Sequence, residues 1–396
     1  MTAPQDPLLY RPEQVQQLDR AAIESGIDGF DLMRRAGRAA FRLLRRRWPQ
    51  ARHLLVFCGG GNNGGDGYVV AGMAQQQGLA VVCVSVSPPE KLKGEARQAW
   101  IWAREQGVSV TALDSDAVPG WLQQSDLVVD ALLGTGLKGE VRSPYRELIG
   151  QINDSTTAVL AIDGPSGLCA DTGQPLGMAL VADQSIGFIG RKAGFYTGQA
   201  RHYTGPVAFD DLNVPESVYE QAGPARARLL HWSNQSTQLP PLSPCAHKGH
   251  MGRVLVVGGD QGMGGAGLLA AEAALRCGSG LVYLATRSEH VGAALARRPE
   301  IQVRAVAHGN DLAPLLSLAD VVVIGPGLGQ GPWGQQMLQQ VLNWQGPVVA
   351  DADALNLLSD RNSPLAAAGL PGHWVATPHP GEAARLLGCT VPEIEQ

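Results

Sequence analysis

Short apolar runs that stop at glycine-rich strings recur along this chain, and they constrain its fold more than any other feature. His53–Cys58 runs into Gly59-Gly60-Gly61-Asn62-Asn63-Gly64-Gly65-Asp66-Gly67, and a helical pattern follows from Tyr68. Leu79–Val86, Asp126–Ala131 and Ala158–Ile162 come next, with helical patterns between them. Strands that are apolar without alternation are buried on both faces, as in a parallel sheet covered by helices. The alternation therefore predicts an α/β fold in which ligands bind beyond the carboxyl ends of the strands. The second half shows the same plan in Val254–Val257, a helix Ala266–Arg276, Leu281–Thr286, Ala319–Ile324 and Val348–Asp353. Its glycine loops differ in sequence from those of the first half, so no internal repeat is inferred.

Two domains are expected from 396 residues that are 44% hydrophobic, because single cores stop growing at roughly 250–300 residues. The weakest organisation lies between Gln221 and Lys248, where prolines remove backbone donors and polar residues offer little to bury. Domains over 1–222 and 247–396 with a linker over 223–246 follow from this. A net charge of −5 argues against nucleic acid or a membrane surface as partner. The basic run Arg42–Arg47 reads as the solvated face of a helix whose apolar stripe is Leu32, Ala36, Ala40, Leu43 and Leu44. Six scattered cysteines read as buried reduced thiols, and without a signal core or a spanning stretch the expected location is cytoplasmic. His247 and His250 lack further ligands at metal-binding spacing.

The string Gly59–Gly67 lets backbone approach an anion, and a helix N-terminus beyond it favours phosphate. It contains GxGxxG, but the next strand ends Val84-Ser85-Val86-Ser87 without the carboxylate that a dinucleotide-dependent dehydrogenase uses for ribose. A plain tight turn accounts for some of the glycines and leaves two asparagines and an aspartate unexplained. Asp130 and Asp163 end the third and fourth runs. Singly, each reads as a turn cap. Together with Asn63 and Asp66 they bring hard oxygen donors to one sheet edge, which suits an alkali or alkaline-earth cation.

Gly-Asn-Asn-Gly-Gly-Asp-Gly-Tyr-Val-Val-Ala (61–71), Val-Asp-Ala-Leu-Leu-Gly-Thr-Gly-Leu (129–137) and Asp-x-Pro-Ser-Gly (163–167) resemble the NAD(P)H-hydrate epimerase family over residues 10–220. That resemblance implies a Rossmann-like three-layer αβα domain that interconverts the R and S forms of nicotinamide cofactors hydrated at ring carbon 6. It implies that Asn62, Asn63, Gly64, Gly65 and Asp66 hold the substrate NADHX or NADPHX. The loop Gly134, Thr135, Gly136, Leu137, Lys138, Gly139 and Glu140 is expected to share that role. Asn63, Asp130 and Ser166 are expected to bind potassium, and Asp163 to face the reacting ring as acid/base, with Lys192 as helper or as a surface or phosphate-facing lysine. The family usually carries a bulky apolar residue where this chain has Gly164, so added backbone freedom beside Asp163 is expected. A homo-oligomer is implied by analogy.

The stretches 247–287, 319–330 and 350–389 resemble the ADP- or ATP-dependent NAD(P)H-hydrate dehydratase family, which has a ribokinase-like fold. The implied chemistry is phosphorylation of the ring hydroxyl by ADP or ATP with magnesium, then elimination of phosphate, with Ala266, Gly327 and His379 against the hydrated cofactor. His379 alone also reads as a helix-start turn before Pro380. The family's later Gly-x-Gly-Asp string does not occur in this sequence. The second half is therefore expected to be a partial domain, with apolar edges exposed, the nucleotide site missing and dehydratase activity lost. A ribokinase-like small-molecule kinase and a non-catalytic nucleotide-binding scaffold remain as alternatives.

Overall fold

Residues 7–137, 139–239, 241–360, 365–366 and 369–395 are described by the computed structural model, which divides into units Met1–Leu239 and Pro240–Gln396. In the first unit, β1 (Leu8–Tyr10) precedes helices α1 (Pro12–Glu24) and α2 (Gly29–Arg47). Strands β2 (His53–Cys58), β3 (Ala80–Ser85), β4 (Val110–Ala112), β5 (Leu127–Ala131), β6 (Ala158–Ile162) and β7 (Gln184–Phe188) follow, then β8 (Arg191–Lys192), β9 (Val207–Asp210) and β10 (Ala227–Arg228). Between them lie α3 (Asn62–Gln76), α4 (Gly94–Glu105), α5 (Val118–Gln124) and α6 (Tyr145–Asn153). Seven strands form a parallel sheet in the order β4-β3-β2-β5-β6-β7-β9.

Successive residues of a strand face opposite ways, and here both faces are core. Leu54, Val56 and Cys58 pack with α2 and α3, whereas Leu55 and Phe57 pack with Val118, Leu148 and Ile152 of α5 and α6. Three layers result, as expected. In α2 the Asp28 side chain accepts from the Asp31 amide, Leu32, Ala36 and Ala40 are buried, and Arg42, Arg46 and Arg47 are exposed.

Three features depart from the sequence reading. Helix α3 starts at Asn62 and not at Tyr68, so most of the glycine string is helix. Its glycines serve close packing: a Cβ on Gly64 would lie 2.1 Å from the Gly59 carbonyl oxygen. Strand β7 is hidden from an apolar-run reading because buried Gln184 and Ser185 interrupt its pattern; their side chains donate to the Pro206 and Thr204 carbonyls at 2.6 and 2.7 Å. The stretch expected as free linker is held at its start, since β1 pairs parallel with β8 and antiparallel with β10. Gln14 adds hydrogen bonds to the carbonyls of Ala222 and Pro224 at 2.7 and 3.0 Å.

In the second unit, β11 (Arg253–Val257), β12 (Leu281–Thr286), β13 (Gln302–Ala305), β14 (Val321–Ile324), β15 (Val348–Ala350) and β16 (Trp374–Ala376) form a parallel sheet in the order β13-β12-β11-β14-β15-β16. The strand expected over Val348–Asp353 stops at Ala350, because the helix Ala352–Ser359 begins there. The helix expected from Ala266 starts at Gly264. Val375 on the edge strand and Leu387 are exposed. No helix among the described residues is long and apolar enough to cross a membrane.

Candidate functional site

From β2 the chain steps outward to β3 and β4, then returns to β5 and proceeds the other way, so the connections diverge between β2 and β5. Such a switch point leaves a crevice at the carboxyl ends of the strands. A cavity of about 750 Å³ lies there, reached by Gly60–Asn63 after β2, Leu132–Leu137 after β5, Asp163 after β6 and Ile189 after β7. Helix α1 contributes Val15, Gln16, Asp19 and Arg20, and Leu32, Met33 and Ala36 of α2 form an apolar wall. The free amides of the first turn of α3 open beside Asn62 and Asn63, where anions are favoured.

Beneath this loop, Asp130 and Ser166 are fully buried and bonded to one another. The Ser166 hydroxyl and amide donate to the Asp130 carboxylate at 2.6 and 2.8 Å, and the Leu132 amide donates to it at 3.1 Å. The Leu133 amide donates to the Ser166 hydroxyl at 2.9 Å. The Asn63 side-chain amide donates to the Leu133 carbonyl at 3.1 Å, while its own oxygen is buried with no partner. A buried acceptor left unpaired costs about 1–3 kcal/mol, so something else is required to satisfy it. Burial raises Asp130 to about 6 against the hydrogen bonds of Ser166 and Leu132.

At the other wall, Asp163 has a left-handed backbone (φ 56°) and its carboxylate is ion-paired with Lys192, which is 2% exposed. Ile189 (φ 59°) and Leu212 (φ 56°) also line the cavity. Left-handed backbone is unfavourable for such residues and persists where surroundings impose it, commonly at binding sites. The expected looseness at Gly164 is absent: at φ 100° a Cβ there would lie 2.1 Å from the Phe195 ring, which fills the space beside Asp163. Asp66 is pushed well above the usual carboxylate range by burial, then by the nearby charges of Asp163 and Asp19.

Of the residues expected to hold substrate, Asn62, Asn63, Asp66, Gly134, Thr135, Gly136, Leu137 and Asp163 line this cavity. Gly64 and Gly65 face inward, against Gly59 and against Met33 and Ala96. Glu140 lies beside Gly177, Gly139 is exposed, and Lys138 is outside the described residues. Asp19 joins them without belonging to any motif. Its signal in the sequence is an aspartate four residues after buried Val15 and next to buried Leu18, on the inward stripe of α1.

The second unit has its own switch point between β11 and β14. There Gly327 (φ 59°) would place a Cβ 3.0 Å from that of Ala266, and its carbonyl accepts from the Asp260 amide at 2.7 Å. Asp353 holds this loop by accepting from the Gly329 amide at 2.9 Å. His379 caps the helix Pro380–Leu387, with its Nδ1 accepting from the Gly381 amide at 3.1 Å, and no hydrogen bond among the described residues joins it to Ala266 or Gly327. His247 and His250 stack at 3.7 Å without a third metal ligand among the described residues.

A family profile described as YjeF-related protein N-terminus matches residues 29–194, and one described as NAD(P)H-hydrate dehydratase matches residues 254–396. The bifunctional NAD(P)H-hydrate repair enzyme Nnr of Coxiella burnetii is 45% identical over 389 residues, covering 98% of this chain and 78% of its own length. Nnr of Escherichia coli is 44% identical over 398 residues, covering 98% of this chain and 73% of its own length. The crystal structure of yeast ynu0 (YNL200c) matches with a TM-score of 0.50 at 18% identity, over 57% of this chain and 96% of that one, which is a likeness of fold. An ADP/ATP-dependent NAD(P)H-hydrate dehydratase from Bacillus subtilis, co-crystallized with ATP/Mg2+, matches at 30% identity with a TM-score of 0.33, over 40% of this chain and 55% of that one.

Proposed function

The chain belongs to the bifunctional NAD(P)H-hydrate repair family, and from that premise we propose that its first unit epimerises hydrated NADH and NADPH at ring carbon 6. The observation that carries this reading is that Asn63, whose buried amide oxygen has no partner, lines the same cavity as the Asp163–Lys192 pair. Asn63, Asp130 and Ser166 offer oxygen donors only, which fits potassium, and the orphaned oxygen of Asn63 is an acceptor that a cation satisfies. Bound there, potassium supplies positive charge beside the phosphate-binding turn. The amides at the start of α3 hold the dinucleotide's phosphates. The apolar wall packs against the ring, and Asp163, held in place by Lys192, serves as acid/base at the carbon 6 centre.

The second unit, in this reading, takes the hydrated ring between Ala266, Gly327 and His379 and uses ADP or ATP with magnesium to eliminate the hydroxyl. A cytoplasmic location and a homo-oligomeric assembly belong to the same proposal.

The test mixes the full chain and potassium with hydrated NADH enriched in the R epimer and follows both epimers chromatographically. Interconversion well above background is expected, and an Asp163→Asn variant with intact circular dichroism should be slower by about 100-fold or more. Potassium should raise the melting temperature of the protein but not of an Asn63→Ala variant. Interconversion no faster than the uncatalysed rate would remove the epimerase reading. Adding ADP should restore NADH absorbance if the second unit acts as proposed.

A further inference from the structure

Three carboxyls and one ammonium from four elements converge on the cavity: Asp19 on α1, Asp66 on α3, Asp163 beyond β6 and Lys192 on β8. Lys192 is committed to Asp163. Among the described residues, no hydrogen bond or ion pair engages the carboxyl of Asp19 or of Asp66. Of the cations that line the cavity Lys192 is buried and Arg20 exposed, and the crowding of carboxyls between walls formed by Val15, Leu32, Met33 and Leu212 favours a proton on the cluster. Asp66 lies on α3, which follows β2, and Asp163 follows β6, and both line the cavity that the connections after β2, β5 and β6 surround.

We propose that Asp66 is the general acid of the epimerase site, paired with Asp163 as the base, and that Asp19 is the positioning residue that keeps Asp66 loaded with its proton. The assignment rests on the epimerase reading above. Burial is the main reason for Asp66 to stay neutral, and the charges of Asp163 and Asp19 add to it against the pull of Lys192. Burial raises Asp19 to about 6, with Lys192 and Arg20 opposing and Asp163 assisting. Glu95 of α4 lines the same cavity, and Cys58 of β2 lies within electrostatic reach of Asp66.

In the first step Asp66 gives its proton to the hydroxyl on carbon 6. The C–O bond breaks with its electron pair leaving as water, and the ring-nitrogen lone pair forms a C=N bond whose positive charge faces Asp163. A water molecule then bonds to carbon 6 from the other face, the C=N pair returns to nitrogen, and the surplus proton passes to Asp163. The two carboxyls have exchanged roles, so the opposite epimer is carried back by the same pair, or solvent resets it.

The full wild-type chain, with potassium and R-enriched hydrated NADH, is assayed first; without turnover above background the epimerase reading itself fails. Given an active wild type, Asp66→Asn should lower kcat by about 100-fold or more with KM little changed, and Asp66→Glu should recover part of the loss. Removing the charge of Asp19 lowers the affinity of Asp66 for its proton, so Asp19→Asn should move the alkaline limb of the kcat/KM profile to lower pH. An Asp66→Asn enzyme that keeps most of its kcat would overturn the assignment. Should that variant fail to fold, an unmoved alkaline limb in Asp19→Asn overturns it instead.

Discussion

Gly164 shows how a single position is decided by its neighbours. Its φ of 100° and the 2.1 Å that would separate an added Cβ from the Phe195 ring leave no place for a side chain. Gly164→Ala should therefore destabilise the first unit by about 1–3 kcal/mol, read from the urea midpoint, and should lower epimerase activity by displacing Asp163. An unchanged midpoint would show that Phe195 yields easily. Asp130 and Asp163 were legible because they sit at the ends of β5 and β6, and Ser166 because it follows in the same Asp-x-Pro-Ser-Gly turn. Asp19 carried no motif, and its place in the cavity depends on α1 packing against residues far along the chain, such as Gly190.

At the scale of elements, helices are joined by charges that no periodicity reveals. Glu272, on the helix Gly264–Arg276, is bridged by Arg276 of its own helix at 2.7 Å, by Arg297 at 3.1 Å and by Arg298, the latter two at the end of the helix Ser288–Arg297. The Arg298 guanidinium above all holds the Glu272 carboxyl down from its ordinary 4.5 to about 2. A depressed carboxylate stabilises the fold fully above its unfolded value, and that contribution disappears as pH falls through the folded value. The difference in melting temperature between wild type and Glu272→Gln should thus be constant above about pH 5 and shrink toward pH 2. A difference that persists undiminished at the acid end would refute the role. The glycine string gave the right connection between β2 and α3 but the wrong helix start, because close packing of Gly64 and Gly65 offsets the poor helix propensity of glycine.

At the scale of the whole molecule, each unit has a parallel sheet and cores of its own. Calorimetry should resolve two transitions, and Leu55→Ala, which empties a fully buried place in the first unit, should lower one of them by about 2–5 kcal/mol and leave the other in place. A single transition shifted as one would contradict separate cores. The sequence by itself determined the α/β class, the division into two units, most central strands and the oxygen-rich strand ends, because burial on both faces and glycine-rich turns are local signals. Only the tertiary structure decided that Asp19 joins Asp66, Asp163 and Lys192 in one cavity, that Asn63 is left with an unpaired oxygen, and that β1 pairs between β10 and β8. Those outcomes depend on contacts between residues distant in the chain, which no local pattern encodes.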